Sequence, residues 1–188
     1  MSELSGSGLI VVTGPPGAGK STVAAAIADR FDPSALVAGD AFFDVFARGA
    51  IEPWLPEANT QNEIAIRAAA AATAEFVAGG YTTVFDGIIG PWFLPTFAAE
   101  VGVTTLDYVM LLPSIDRCLA RIAAREDHDF DAAAATRKMH REFADATIDT
   151  RHVLVEPPEG VEAVATLIAD GIAEGRFARR LDSEQCHG

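Results

Sequence analysis

The chain alternates short apolar runs with longer stretches whose apolar positions recur every three to four residues. Residues 8–13 form a short apolar run rich in β-branched residues, the pattern of a strand buried on both faces of a parallel sheet. Residues 20–31 then carry Ala, Ile and Val at helical spacing, and residues 35–38 make a second short strand stopped by Gly39 and Asp40. Over residues 60–78 the sequence is Ala-rich and helical; Thr60 and Glu63 have capping-box spacing, and Gly79 with Gly80 supply the stop. Residues 81–85 read as a third strand ending at Asp86 and Gly87, and residues 105–112 as a fourth closed by Pro113. After Ser114, the residues Ile115, Cys118, Leu119 and Ile122 share one helical face. A polar stretch, 125–129, separates that helix from another over 131–143. Residues 152–155 supply a fifth strand, and residues 158–173 a last helix entered through Pro157 and Pro158.

Strands separated by helices predict βαβ units, hence an α/β domain of three layers with a parallel sheet covered on both faces. The expected division is a flexible tail over 1–7, one domain over 8–174 and a second tail over 175–188. Ligands of such sheets bind beyond the carboxyl ends of the strands. The polar residues that follow strands here are Gly14 to Ser21, Asp40, Asp86 with Gly87, and the turn at Ser114. They are expected to gather on one edge.

Composition narrows the partners. A chain of 188 residues with 49% apolar and 22% charged side chains has ordinary globular composition. Its net charge of −13 repels a phosphate backbone, which argues against nucleic acid. No apolar run approaches the roughly 18 residues of a membrane helix. A cytoplasmic protein without a membrane partner, monomeric or homodimeric, is the expectation. Cys118 and Cys186 lack metal or redox spacing. With only 14 Lys and Arg, the place of each one carries information about any anion site.

Gly14-Pro15-Pro16-Gly17-Ala18-Gly19-Lys20-Ser21 matches G-x-x-x-x-G-K-[ST] at every fixed position, directly after a strand and directly before a helix. Its glycines let successive N–H groups turn inward on phosphate oxygens, and the helix N-terminus adds a positive field. Residues 14–22, through Thr22, are therefore the candidate nucleotide cradle. Lys20 would bridge the β- and γ-phosphates, and Ser21 would offer its hydroxyl to Mg²⁺. The N-K-x-D signature of guanine selection is absent, which argues against a GTPase switch.

Asp86, at the end of an apolar strand, either holds the Mg²⁺ shell or a substrate hydroxyl, or forms a plain Asp-Gly turn. Asp40 either orients the attacking hydroxyl or caps the segment that begins at Ala41. Arg117, Arg121 and Arg125 repeat every four residues away from the apolar face, with Arg121 and Arg125 the better placed to meet transferring phosphate. Arg137 and Arg141 lie beyond the polar stretch, and His128 within it. Phe43, Trp54 and Trp92, with Arg48 or Arg67 as positive groups, are candidates for an acceptor site of partly apolar character.

The phosphate loop, Gly39-Asp40, Asp86-Gly87 and the Arg-rich helix before a short polar stretch together resemble the adenylate-kinase-like group of small-molecule P-loop kinases. Gluconate kinase, shikimate kinase and chloramphenicol phosphotransferase are the members it is most similar to. The resemblance implies a five-stranded parallel sheet in order 2-3-1-4-5, a small lid over about 125–136 and an acceptor region within about 40–80. It also implies ATP and Mg²⁺, with adenine near residues 156–160. In chloramphenicol-phosphotransferase-like members the aspartate after strand two is the base, and Asp40 stands there. The Asp-Gly-Phe-Pro-Arg run of nucleoside monophosphate kinases is replaced by Ile88-Ile89-Gly90-Pro91-Trp92 after Asp86-Gly87, so a nucleotide acceptor is not expected. The shikimate-type Gly-Gly-Gly segment is also missing.

The function expected is therefore transfer of the γ-phosphoryl group to a hydroxyl of a sugar acid or antibiotic-like molecule. Lys20, Asp40, Arg121 and Arg125 would carry the chemistry, and Ser21 and Asp86 the metal. Asp40, Phe43, Arg48, Trp54, Asp86 and Trp92 would face the acceptor. A regulatory nucleotide-binding module and a zeta-toxin-like kinase of a sugar nucleotide are the rival readings.

Overall fold

A computed structural model describes residues 8–124 and 130–181. The central strand is β1 (Leu9–Thr13), buried along its whole length. Its side chains alternate between two cores: Leu9 and Val11 belong to one, Ile10 and Val12 to the other. Burial on both faces explains why the run is apolar without interruption. Each of these four side chains, at most 1% exposed, contributes on the order of 1.5–3 kcal/mol of hydrophobic stabilisation.

The strands β2 (Ser34–Ala38), β3 (Thr82–Asp86), β4 (Thr105–Leu112) and β5 (Val153–Val155) join β1 in the order β2-β3-β1-β4-β5, all parallel. One face is covered by α1 (Lys20–Ala28) and α6 (Val161–Ala173), which bury Val23 and Ile27 against Val164 and Ile168. The other is covered by α2 (Asn59–Ala78) and α3 (Leu94–Val101), through Ile66, Ala70, Leu94 and Phe97. Beyond the sheet's carboxyl ends lie α4 (Ile115–Ala123) and α5 (Phe130–Ala144), and α5 sends Phe143 into the core that holds Leu9 and Val11.

Several elements differ from the sequence reading. The sheet gains a sixth strand, β6 (Ala178–Arg180), antiparallel to β4, inside the segment expected to be a tail. It pairs with Thr105–Asp107 while β5 pairs with Met110–Leu112, so the two share the edge of β4 that β1 leaves open. The cause is apolar anchoring on both faces: Phe177 is fully buried against the α1–α6 layer, and Leu181 is buried on the opposite side. Gly171 makes room for Phe177, since a Cβ there would fall 2.4 Å from the ring.

The helix α3 was not anticipated, although Pro95 near its start and Gly102 at its end, in a left-handed conformation at φ 79, are both boundary signals. A single 3-10 turn, Pro56–Ala58, leads into α2, which starts at Asn59 without a side-chain cap. The Thr60–Glu63 spacing thus falls inside the first turn. Gly160 at φ 91 delays α6 to Val161. Within the expected lid, residues 130–136 belong to α5, and 125–129 lie outside the described residues.

Candidate active site

Strand register brings the polar residues together. Val12 and Ala38 both stand opposite Asp86, so β1, β2 and β3 end level with one another. The phosphate loop, the turn carrying Asp40 and the carboxylate of Asp86 consequently share one edge of the sheet.

Three glycines shape the phosphate loop through positive φ: Gly14 at 142°, Gly17 at 76° and Gly19 at 96°. Close packing adds to the requirement, because a Cβ on Gly14 would lie 2.2 Å from the Leu111 carbonyl oxygen and one on Gly17 2.4 Å from that of Cys118. The backbone of β4 and α4 therefore holds the loop from behind. Arg121 closes it from the side: its Nη1 donates to the carbonyls of Gly17 at 3.2 Å and Ala18 at 2.8 Å. In this arrangement the Arg121 guanidinium braces the loop backbone. Ser114 caps α4 by accepting from the Arg117 amide at 3.5 Å, and the Arg117 side chain turns instead to Glu156 at 3.3 Å. Arg125 and His128 lie outside the described residues.

Lys20 is buried at 6% exposure, and so is Asp86. The Ser21 hydroxyl donates to the Asp86 carboxylate. Burial raises the pKa of Asp86; the bond from Ser21 and the charge of Lys20 oppose that rise, and the negative charge of Asp40 adds to it. The Oδ1 atom of Asp86 has no hydrogen-bond partner, one of two buried side-chain polar atoms in that state among the described residues. A buried carboxylate oxygen without a donor, beside a serine hydroxyl, is the donor set a hard divalent cation uses. Ser21 and Asp86 therefore fit Mg²⁺.

The loop after β3 is fixed from both sides. The Ile89 amide donates to Thr13 Oγ1 at 3.0 Å, and the buried Tyr108 hydroxyl donates to the Ile89 carbonyl at 2.7 Å. These bonds tie the segment following Asp86 to β1 and β4. Thr13 and Tyr108 were not singled out in the sequence, and nothing local marks them: their partner is 76 residues away in one case and 19 in the other.

Two cavities flank the phosphate loop. One, of about 340 Å³, is lined by Gly17, Ala18, Gly19 and Thr22 on the loop side and by Pro157, Pro158 and Gly160 opposite. It coincides with the segment expected beside adenine. Glu156, at φ 48, is strained for a residue with a side chain. Its carboxylate accepts from the Ser114 amide at 2.7 Å and from Arg117, which pins this segment to the start of α4.

The other cavity, of about 420 Å³, touches the loop at Pro16. Asp40, Phe43 and Asp44 line it from the turn after β2; Trp54, Asn62 and Ile66 from the approach to α2 and its first turns. Ile88, Trp92 and Phe93 close it from the loop before α3, and Lys138, Glu142 and Phe143 from α5. Its shape depends on side-chain amides: Gln61 bonds both the amide and the carbonyl of Ile51, at 2.8 and 2.6 Å, and Asn62 Nδ2 donates to the Pro53 carbonyl at 2.7 Å. Lys138 Nζ donates to the Trp54 carbonyl, tying α5 to the same segment.

Asp40, Phe43, Trp54 and Trp92 thus meet in one cavity. Asp40 lies inside the 3-10 turn Gly39–Phe42, two residues past the cap position at Ala38. Arg48 is exposed and outside the cavity lining, and Arg67 pairs with Glu100 at 2.6 Å. Asp86 sits at the loop, not in the cavity lining. The sequence reading missed Asn62, Lys138 and Glu142.

Solved structures share the fold. A sugar kinase from a Janibacter species superposes with a TM-score of 0.60 at 18% identity, covering 89% of this chain and 96% of that one. The tunicamycin resistance protein of Deinococcus radiodurans gives 0.59 at 15% identity, covering 87% and 94%. Shikimate kinase from Acinetobacter baumannii, in complex with shikimate, gives 0.51 at 20% identity, covering 89% and 93%. A comparison with curated proteins finds no match. The AAA domain model matches residues 9–149, three quarters of the sequence. The chain belongs to the AAA domain family and is built on the α/β P-loop kinase fold.

Proposed function

We propose that this protein is an ATP- and Mg²⁺-dependent phosphotransferase acting in the cytoplasm on a hydroxyl group of a small molecule. The observation that carries the reading is one loop with a cavity on each side: Gly17 to Gly19 border the first, and Pro16 with Asp40 borders the second. A donor nucleotide in the first and an acceptor in the second would meet at the loop.

The residues divide the work accordingly. Backbone amides of residues 14–22 and the ammonium of Lys20 hold the phosphates. Ser21 and Asp86 hold Mg²⁺, which supplies charge neutralisation on the phosphate oxygens. Asp40 takes the proton of the acceptor hydroxyl as its oxygen bonds to the γ-phosphorus and the bond to the bridging oxygen of ADP breaks. Arg121 sets the loop and adds positive charge at its rim, and Arg125 is a candidate for the same role from the segment that follows α4. Phe43, Trp54 and Trp92 exclude water around the acceptor.

Calorimetry with ATP and Mg²⁺ tests the donor half. Lys20→Ala is expected to lose at least about tenfold in affinity, the loss of a charge-assisted contact. Equal affinity in variant and parent would overturn the reading. For the acceptor half, Asp40→Asn is expected to keep ATP affinity while turnover of an identified acceptor falls by about 10²–10⁴-fold.

A further inference from the structure

The charge lining the acceptor-side cavity is lopsided. Among the described residues, Asp40, Asp44 and Glu142 contribute three carboxylates against the ammonium of Lys138. That ammonium is already engaged by the Trp54 carbonyl and lies 3.8 Å from Glu142 Oε1. Among the described residues no arginine lines this cavity; Arg141 lines the open depression next to it. Among the described lining residues, a carboxylate placed here would meet fixed negative charge and no unengaged cation.

A second observation concerns Asn62. Its Nδ2 is committed to the Pro53 carbonyl at 2.7 Å, which fixes the amide, and its Oδ1 is buried with no partner. A buried acceptor of this kind is costly unless a donor arrives. Trp54, Trp92, Phe93 and Phe143 give the cavity aromatic walls, and Leu55, Ile66, Ile88 and Met139 aliphatic ones. Aromatic faces favour an apolar body and also a cation.

We propose that this cavity takes a hydroxyl compound bearing a protonated amine beside an aromatic or apolar body, and discriminates against carboxylates such as sugar acids. Asp44 and Glu142 supply the counter-charge, and Asn62 Oδ1 accepts from the amine or a second hydroxyl. The proposal rests on reading this cavity as the acceptor site.

Trp54 and Trp92 are the chain's two tryptophans, and both line the cavity, so their fluorescence reads its occupancy without nucleotide. Three benzylic alcohols make a matched set: 2-amino-1-phenylethanol, 1-phenyl-1,2-ethanediol and mandelate. The amine is expected to bind about tenfold more tightly than the diol, and mandelate more weakly than either. In the double variant Asp44→Asn/Glu142→Gln, the advantage of the amine should shrink to about twofold or less. Mandelate binding as well as the amine, or no binding by any of the three at millimolar concentration, overturns the proposal. An unchanged preference in the double variant does so as well. The readout needs neither ATP nor turnover. A protein that sorts the set in this order yet transfers no phosphate keeps the ligand class and loses the kinase reading; one that phosphorylates only carboxylate acceptors does the reverse.

Discussion

The two sides of the phosphate loop are built in opposite ways. The proposed donor side is made by backbone: three positive-φ glycines, a helix N-terminus and carbonyls of β4 and α4 pressed against them. Eight consecutive residues specify most of it. The proposed acceptor side is made by side chains drawn from the turn after β2, the start of α2, the loop before α3, and α5. Its segment over 39–58 has two short 3-10 turns and is held by the amides of Gln61 and Asn62. A backbone cradle suits a ligand that is always the same polyphosphate. A side-chain cavity can be re-lined one residue at a time, so it suits a part that sets specificity.

Substitutions on each side should separate these roles. The largest effect is expected from Gly17→Val, which needs φ 76 and puts a Cβ 2.4 Å from the Cys118 carbonyl. Nucleotide binding should be lost, with destabilisation of about 2 kcal/mol in chemical unfolding. Wild-type affinity in that variant would break the claim that backbone geometry builds the donor side.

Asp86→Asn comes next. It should weaken Mg²⁺-dependent ADP binding by about tenfold or more, read by calorimetry with and without the metal. Stability moves the other way. Burial raises the folded pKa of Asp86, so its favourable contribution is fully present below the pKa of an unfolded aspartate and is lost as pH rises through the folded value. The asparagine variant should therefore melt higher than the parent near neutral pH without metal, and the gain should vanish in acid.

Trp92→Ala, on the acceptor side, is expected to raise the acceptor KM by about tenfold while leaving ATP affinity unchanged. A change in both would mean the two sides are less independent than their construction implies. The smallest effect belongs to Arg48→Ala, which should alter acceptor KM by less than about twofold, because Arg48 is exposed away from the cavity lining.

The donor side was legible residue by residue because its information is local: the spacing of Gly14, Gly19, Lys20 and Ser21 implies a strand–loop–helix turn with inward amides. Asp40 and Asp86 were legible as positions, since each closes an apolar run. Their surroundings were not. That Asp86 is buried with a free Oδ1 depends on the level ends of β1, β2 and β3. Arg48 and Arg67 looked available only because sequence cannot show that one is exposed outside the cavity lining and the other pairs with Glu100 across 33 residues. The strand β6 was hidden for a similar reason: three residues, Ala-Arg-Arg, carry no strand pattern of their own. Their flanking Phe177 and Leu181 make them one.

Sequence alone settled the parallel sheet and the glycine-built loop that follows β1. Both follow from short-range rules, a strand buried on two faces and a glycine spacing that only one backbone path satisfies. Tertiary structure decided the rest: which charges face the acceptor cavity, which arginines are already spent on Glu100, Glu156 or the loop carbonyls, and where the last strand pairs. Those outcomes depend on contacts between residues far apart in the chain, and the spacing of residues along a sequence carries no record of them.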